Sequence, residues 1–317
     1  MFVDCYASPM VDVGRDDDLE STLFHYTDFR ALQSIYEKGE VWATNSRYLN
    51  DLTETRLGPA AIINTLRDRE KAENDEITRY LDEVPEGPLE EEHRPYLREV
   101  AGRRNLWSEL RGACDHALTD TTCFIFSLSR VPDQLSQSRA YAKDGVCVEF
   151  VTDELLTGLT DAPVKGADVR RLNYFDGGNI DAEYLDPIVD FMKERRVQLI
   201  GEGCTDVGLR DVVIGQELML KIAFLKDIHF QEEKEVRIAV QGNPNHFTPN
   251  RYGLMPRIKL PITPYAIRSV IVGPGAHAEL RAQSLHTFFE EVSFKTDPVS
   301  PPSEIEVYES AVPYRDW

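Results

Sequence analysis

Apolar positions along this chain recur with two different periods, and the switches between them mark out its elements. Residues 23–27, Leu-Phe-His-Tyr-Thr, form an apolar-rich run that predicts a strand. Thr27 or Asp28 offers an N-cap for a helix behind it. Phe29, Leu32, Ile35 and Tyr36 share one face of that helix, and Gly39 is its stop. A short strand follows at 41–44. The pattern then changes: residues 55–118 are charge-rich and helical in period, broken by Pro85, Gly87, Pro88 and Pro95, which predicts two or three helices. The acidic run at 90–92 reads as a solvated helix start. Further strands are expected at 122–128, 145–151, 169–175, 235–240, 254–260, 270–272 and 305–308, with a Gly/Pro/Asn-rich turn between the fourth and fifth runs of this series. Residues 132–141 are polar and helix-like, 181–224 are mostly helical, and 278–290 form a helix.

Strands and helices do not alternate one for one. An α+β sheet with helical insertions therefore fits better than a doubly wound parallel sheet. The expected organisation is a single domain over 1–317, with 20–55 and 119–317 forming the sheet core and 56–118 a helical insertion or cap. No internal repeat or low-complexity tract interrupts it.

Composition narrows the functional classes. A 42% hydrophobic content is enough for a real core. The early acids of MFVDCYASPMVDVGRDDD argue against a secretory signal, and no apolar run approaches the roughly 20 residues of a membrane span. The net charge of -20 weighs against sequence-blind nucleic-acid binding, which depends on Lys and Arg neutralising phosphates. Five widely spaced cysteines without a C-x-x-C pair point to a reducing, cytoplasmic setting. The histidines show no metal-ligand spacing, Gly273-Pro274-Gly275 lacks the Lys-Ser/Thr of a phosphate loop, and no G-x-S-x-G elbow is present.

Five separated segments carry a resemblance. They are Phe24, His25, Tyr26 and Thr27; Asn50 and Asp51 with Glu54; Phe126 and Ser127 with Leu135, Ser136, Gln137, Ser138, Arg139, Ala140 and Tyr141 and then Gly145, Val146 and Cys147; KDIHFQEEKEVRI at 226–238; and Ile271, Val272, Gly273 and Pro274 with SAVPYR at 310–315. In this order they resemble a bacterial family known as domain of unknown function 2971. That family usually has Trp where this chain has Ser138, which implies a wider or more polar pocket. More distantly, a strand carrying His-Tyr-Thr, then a helix, then Gly is similar to the opening of ADP-ribosyltransferase folds.

The second resemblance implies a split mixed sheet that binds NAD as substrate in a cleft between two small sheets. It implies three functional points from three strands: His25, then Ser127, then Glu233 and Glu235. Cleaving the nicotinamide–ribose bond passes through an oxocarbenium-like state, which a carboxylate stabilises. Glu235, Glu233 and His25 are the catalytic candidates. His25, Tyr26, Thr27, Asn50, Ser127, Arg139, Tyr141 and Arg237 are the candidates for holding NAD. No metal is called for. In a continuous strand, Glu233, Glu235 and Arg237 share one face, opposite Val236, Ile238 and Val240. The implied activity is an NAD-consuming transferase or glycohydrolase, a toxin or phage-defence effector with a partner protein or antitoxin; the acceptor is a protein, a nucleic acid, a small molecule or water. The competing reading is a non-catalytic nucleotide-sensing or protein-interaction module on the same fold. Each residue also has a plainer reading. His25 reads as a satisfied interior histidine, Tyr26 as a core anchor and Ser127 as a strand-end hydroxyl. Glu233 to Arg237 reads as a surface ion-pair ladder, Asn50-Asp51 as a turn, and Tyr314 and Arg315 as a docked tail.

Overall fold

Local capping signals become the first elements of the structure, a computed structural model describing residues 13–49, 54–83, 91, 93–120, 122–142, 145–176, 180–251, 253–292 and 304–313. Strands β1 (Val13–Arg15) and β2 (Thr22–Thr27) precede helix α1 (Phe29–Lys38) and β3 (Glu40–Asn45). Asp28 caps α1 by accepting from Ala31 N at 2.7 Å. Gly39 closes it at φ 59°, ψ 38°, a left-handed conformation strained for any residue with a Cβ. Two long helices follow, α2 (Glu54–Glu83) and α3 (Arg94–Asp120). After β4 (Phe124–Ser129), one helical turn, α4 (Leu135–Gln137), continues as a π-helical stretch over Ser138–Ala142. Then come β5 (Val146–Val151), α5 (Thr152–Leu159), β6 (Gly166–Arg171), β7 (Asn173–Phe175), α6 (Ala182–Gly201), α7 (Val207–Ile222) and β8 (Leu225–Asp227). A 3-10 stretch (Ile228–Glu233) leads into β9 (Glu235–Gln241), β10 (His246–Asn250), β11 (Gly253–Pro261), β12 (Ile267–Val272), α8 (Ala278–Glu291) and β13 (Glu306–Glu309).

The described residues fall into two compact units, one drawn from Met1–Leu49, Cys123–Asn173 and His229–Trp317, the other from Asn50–Thr122 and Tyr174–Ile228. The first is built on an eleven-stranded sheet whose main path runs β1-β6-β9-β4-β2-β5-β12-β13, with β3, β11 and β10 joined through β4. β1 with β6 and β12 with β13 are parallel, and the remaining pairs of this sheet are antiparallel, so the sheet is mixed and the fold α+β. One face carries the core: Leu23, Phe126, Leu128, Val148, Phe150, Val236, Ile238 and Val240 pack with Leu32, Ile35 and Tyr36 of α1. Each such side chain contributes roughly 1.5–3 kcal/mol through burial.

The second unit is helical. Glu109 on α3 ties its helices together by accepting from Arg196 of α6 at 2.8 Å and from Arg210 of α7 at 2.7 and 2.9 Å. Gly215 lets α7 approach α3, since a Cβ there would stand 2.7 Å from Ala113 O. Residues 174–228, which the sequence reading joined to the sheet core, pack instead with the residue 50–122 insertion.

Two other expectations change. The single strand expected at 169–175 is two, β6 and β7, because Leu172 between them bonds through its N to Glu235 O and the chain then leaves the β9 edge. The turn expected after β9 contains β10, which pairs with β11 alone and so tolerates Pro249. Of the acidic run at 90–92, only Glu91 lies within the described residues, exposed and 3.8 Å from Arg94. No helix among the described residues is long and apolar enough to cross a membrane.

Candidate functional site

Strand β4 has β9 along one edge, but its other edge is shared. At its start, β3 pairs through Thr44 opposite Ile125 and Asn45 opposite Phe124. At its end, β2 pairs only through Phe24 opposite Ser129, and otherwise follows β5. The sheet therefore forks, leaving Phe126, Ser127 and Leu128 without a strand partner on that edge.

His25 stands at the fork. Its Nδ1 lies 2.9 Å from Ser127 O, and since a carbonyl only accepts, Nδ1 carries the hydrogen. The ring packs on Phe126 with centroids 4.5 Å apart. Desolvation lowers its pKa to about 4; the bond to Ser127 raises it and the Arg257 charge lowers it further. The imidazole is thus neutral near pH 7, with Nε2 an acceptor that has no hydrogen-bond partner among the described residues.

Strand alternation separates the other candidates from His25. Val148 stands opposite His25 and belongs to the core face. Ser127 stands opposite Arg237, and Ser129 opposite Glu235, on the other face. His25 therefore meets Ser127 through its backbone, while the exposed Ser127 hydroxyl and the Glu235 carboxylate emerge on the opposite side. The expected convergence of these three side chains does not form, because an odd residue offset in paired strands reverses direction.

Glu235 and Arg237 are not a surface ladder. They are 5% and 2% exposed, and Arg237 grips the carboxylate with Nε at 2.8 Å and a terminal nitrogen at 3.2 Å. Nor does Glu233 share their strand. It ends the 3-10 stretch, and Lys234 turns the chain at φ 43° before β9 begins. The half-buried Glu233 accepts from Tyr141 OH at 2.9 Å, and its carbonyl accepts from Ser129 Oγ at 2.8 Å and Gln137 Nε2 at 3.0 Å. Gln137 also donates to Ser129 Oγ at 2.9 Å.

Tyr26 is an anchor. Its hydroxyl donates to Val131 O at 2.8 Å and accepts from Gln134 N at 2.9 Å, and burial, with Cys147 beside it, drives its pKa far up. Thr27 is buried at the end of β2, and Arg139 is exposed on the π-helical stretch. Asn50, Asp51, Tyr314 and Arg315 lie outside the described residues.

Sequence reasoning passed over the Ser129–Gln134–Gln137 network and the Trp42–His246–Arg257 group on β3, β10 and β11. The Ser-x-Ser spacing in β4 and the alternation of Arg257 and Lys259 with apolar residues were the available signals. Among the described residues, no group of three or more His, Cys, Asp or Glu is arranged to hold a metal ion. No protein-family model matches this chain, and no curated protein or solved structure is significantly similar to it.

Proposed function

We propose that this protein consumes NAD, as an ADP-ribosyltransferase or NAD glycohydrolase on a split sheet of the ADP-ribosyltransferase type. The observation that carries the reading is the fork in the sheet with neutral His25 in it. A histidine whose Nδ1 is tied to the backbone presents Nε2 as a fixed acceptor, suited to a ribose hydroxyl. The fork supplies such a position beside an unpaired strand edge. In this reaction the nicotinamide–ribose C–N bond breaks, nicotinamide leaves with the electron pair, and water or another nucleophile adds to the ribose carbon. Glu233 is the candidate carboxylate that Arg237 does not engage; it is half-buried and accepts a hydrogen bond from Tyr141, and on this reading it stabilises the ribosyl cation. Such an activity suits a bacterial cytoplasmic toxin or phage-defence effector held by a partner protein or antitoxin.

Incubating purified protein with NAD and measuring nicotinamide tests the reading. His25→Ala is expected to weaken NAD binding and lower turnover together. Glu233→Gln is expected to keep binding and lose turnover by about 10²–10³. Absence of both binding and cleavage by the parent protein sinks the proposal. The Glu235–Arg237 pair favours a second reading, a nucleotide-sensing module without turnover, because it withdraws one of the two carboxylates expected to act. NAD binding without nicotinamide release would decide for it.

A further inference from the structure

The acidic chain provides carboxylates for many of its arginines: Arg103 with Glu73, Arg171 with Glu20, Arg195 with Glu217, Arg210 with Glu109. Arg257 on β11 is different. Its Nε donates to Thr248 Oγ1 on β10 at 2.9 Å, and its guanidinium carbon lies 5.6 Å from the Trp42 ring centroid. Neither partner carries a charge. The side chain is half-buried, and desolvation alone pulls its pKa below the usual arginine range. Directly across the hairpin stands His246, its ring tilted against Trp42 with centroids 4.4 Å apart, and with its Nε2 buried and without a hydrogen-bond partner among the described residues. Lys38, Lys259 and Arg257 act on His246 as cations, against Glu40 as the opposing carboxylate, which is itself bound to Lys259 at 2.9 Å.

Buried polar atoms without partners are rare in folded proteins, and an unbalanced, partly desolvated cation is costly to keep. Here both occur on neighbouring residues under a local excess of positive charge, in a chain whose net charge is -20. A ligand with several anionic oxygens resolves both at once. The guanidinium fork matches two oxygens of a phosphate, Trp42 packs against the guanidinium, and His246 supplies a third contact. The Arg257 charge also acts on His25, so this group lies within electrostatic reach of the fork.

We propose that Arg257 and His246, packed on Trp42, form a binding site for the phosphate group of a small phosphorylated ligand. A small ligand fits better than a nucleic acid, because the whole-chain charge repels a long polyanion. The site does not depend on NAD being cleaved. Its test is titration of the full chain with inorganic pyrophosphate by calorimetry, with the histidine nitrogens followed by NMR. Saturable binding that shifts the His246 Nε2 signal is expected. Arg257→Gln should weaken it at least tenfold, with the ligand-free melting temperature unchanged or raised, since a desolvated charge is removed. His246→Gln should weaken binding severalfold. No saturable binding overturns the proposal, as does parent-like affinity in both variants. So does a lowered melting temperature in ligand-free Arg257→Gln, which marks a structural arginine. Displacement of pyrophosphate by an oligonucleotide at equal phosphate concentration overturns the small-ligand assignment. Pyrophosphate binding without nicotinamide release leaves this site standing and defeats the transferase reading alone.

Discussion

Replacing Glu235 with Gln leaves the Arg237 guanidinium, 2% exposed, facing a neutral amide in place of a carboxylate gripped at 2.8 and 3.2 Å. The structure sets the scale of the loss. An exposed ion pair is worth about 0–1 kcal/mol, because water screens it and solvates the survivor. Breaking a pair inside the protein costs about 3–5 kcal/mol, because the survivor can be neither solvated nor expelled cheaply. At 5% and 2% exposure the second figure applies. With two compact units, a single melting curve mixes their responses. Native-state hydrogen exchange at the β4 and β9 amides reads the sheet unit directly. The expected result is a fall in their opening free energy of about 3–5 kcal/mol for Glu235→Gln. Combined with Arg237→Gln, the cycle should show coupling near the upper end of about 0.5–3 kcal/mol. A loss under about 1 kcal/mol, or additive single effects, would refute the reasoning and return the pair to the surface-ladder reading.

Other expectations follow from the same geometry. The His25 pKa lies near 4 in the fold against 6.5 unfolded, so the unfolded chain takes up the proton first. Its contribution is complete above pH 6.5 and is lost as pH falls towards 4, by roughly 1–3 kcal/mol after allowing for partial exposure; His25→Gln should flatten that acid-side loss, and an imidazole titrating near 6.5 by NMR would contradict it. Gly39→Ala places a Cβ at φ 59° and should cost about 1 kcal/mol by denaturant titration, whereas no change would mean the cap relaxes freely. Tyr141→Phe removes the 2.9 Å bond to Glu233 from a side chain 38% exposed, so stability should stay within about 0.5 kcal/mol while NAD turnover falls; equal turnover would separate Glu233 from the proposed chemistry.

What could be read in the sequence was local. Asp28, the apolar face of α1 and Gly39 announce a helix with both ends marked, because capping is decided within a few residues. The apolar side of β9 was legible for the same reason, through Val236, Ile238 and Val240. The polar side was not. Whether Glu235 and Arg237 meet water depends on what covers their face, and no neighbour in sequence reports that. The spacing argument for Glu233 assumed a continuous strand, and the left-handed Lys234 breaks it. His25 chose a backbone carbonyl 102 residues away, a partner with no side-chain signature. The pairing of residues 174–228 with the earlier insertion was hidden likewise, because two helical segments separated by several strands carry no local sign that they belong together.

The sheet unit is assembled from three visits of the chain, and this imposes an order on synthesis. Strand β9 lies between β4 and β6, so neither completes its pairing until Gln241 has emerged, while both segments of the helical unit are already out by Ile228. At roughly 5–20 residues per second, β4 waits roughly 5–20 s for its partner after leaving the ribosome. At the end of that interval, between Ile228 and Gln241, the nascent chain holds a complete helical unit and an open strand edge, the moment at which a chaperone or a second nascent copy has the most to grasp.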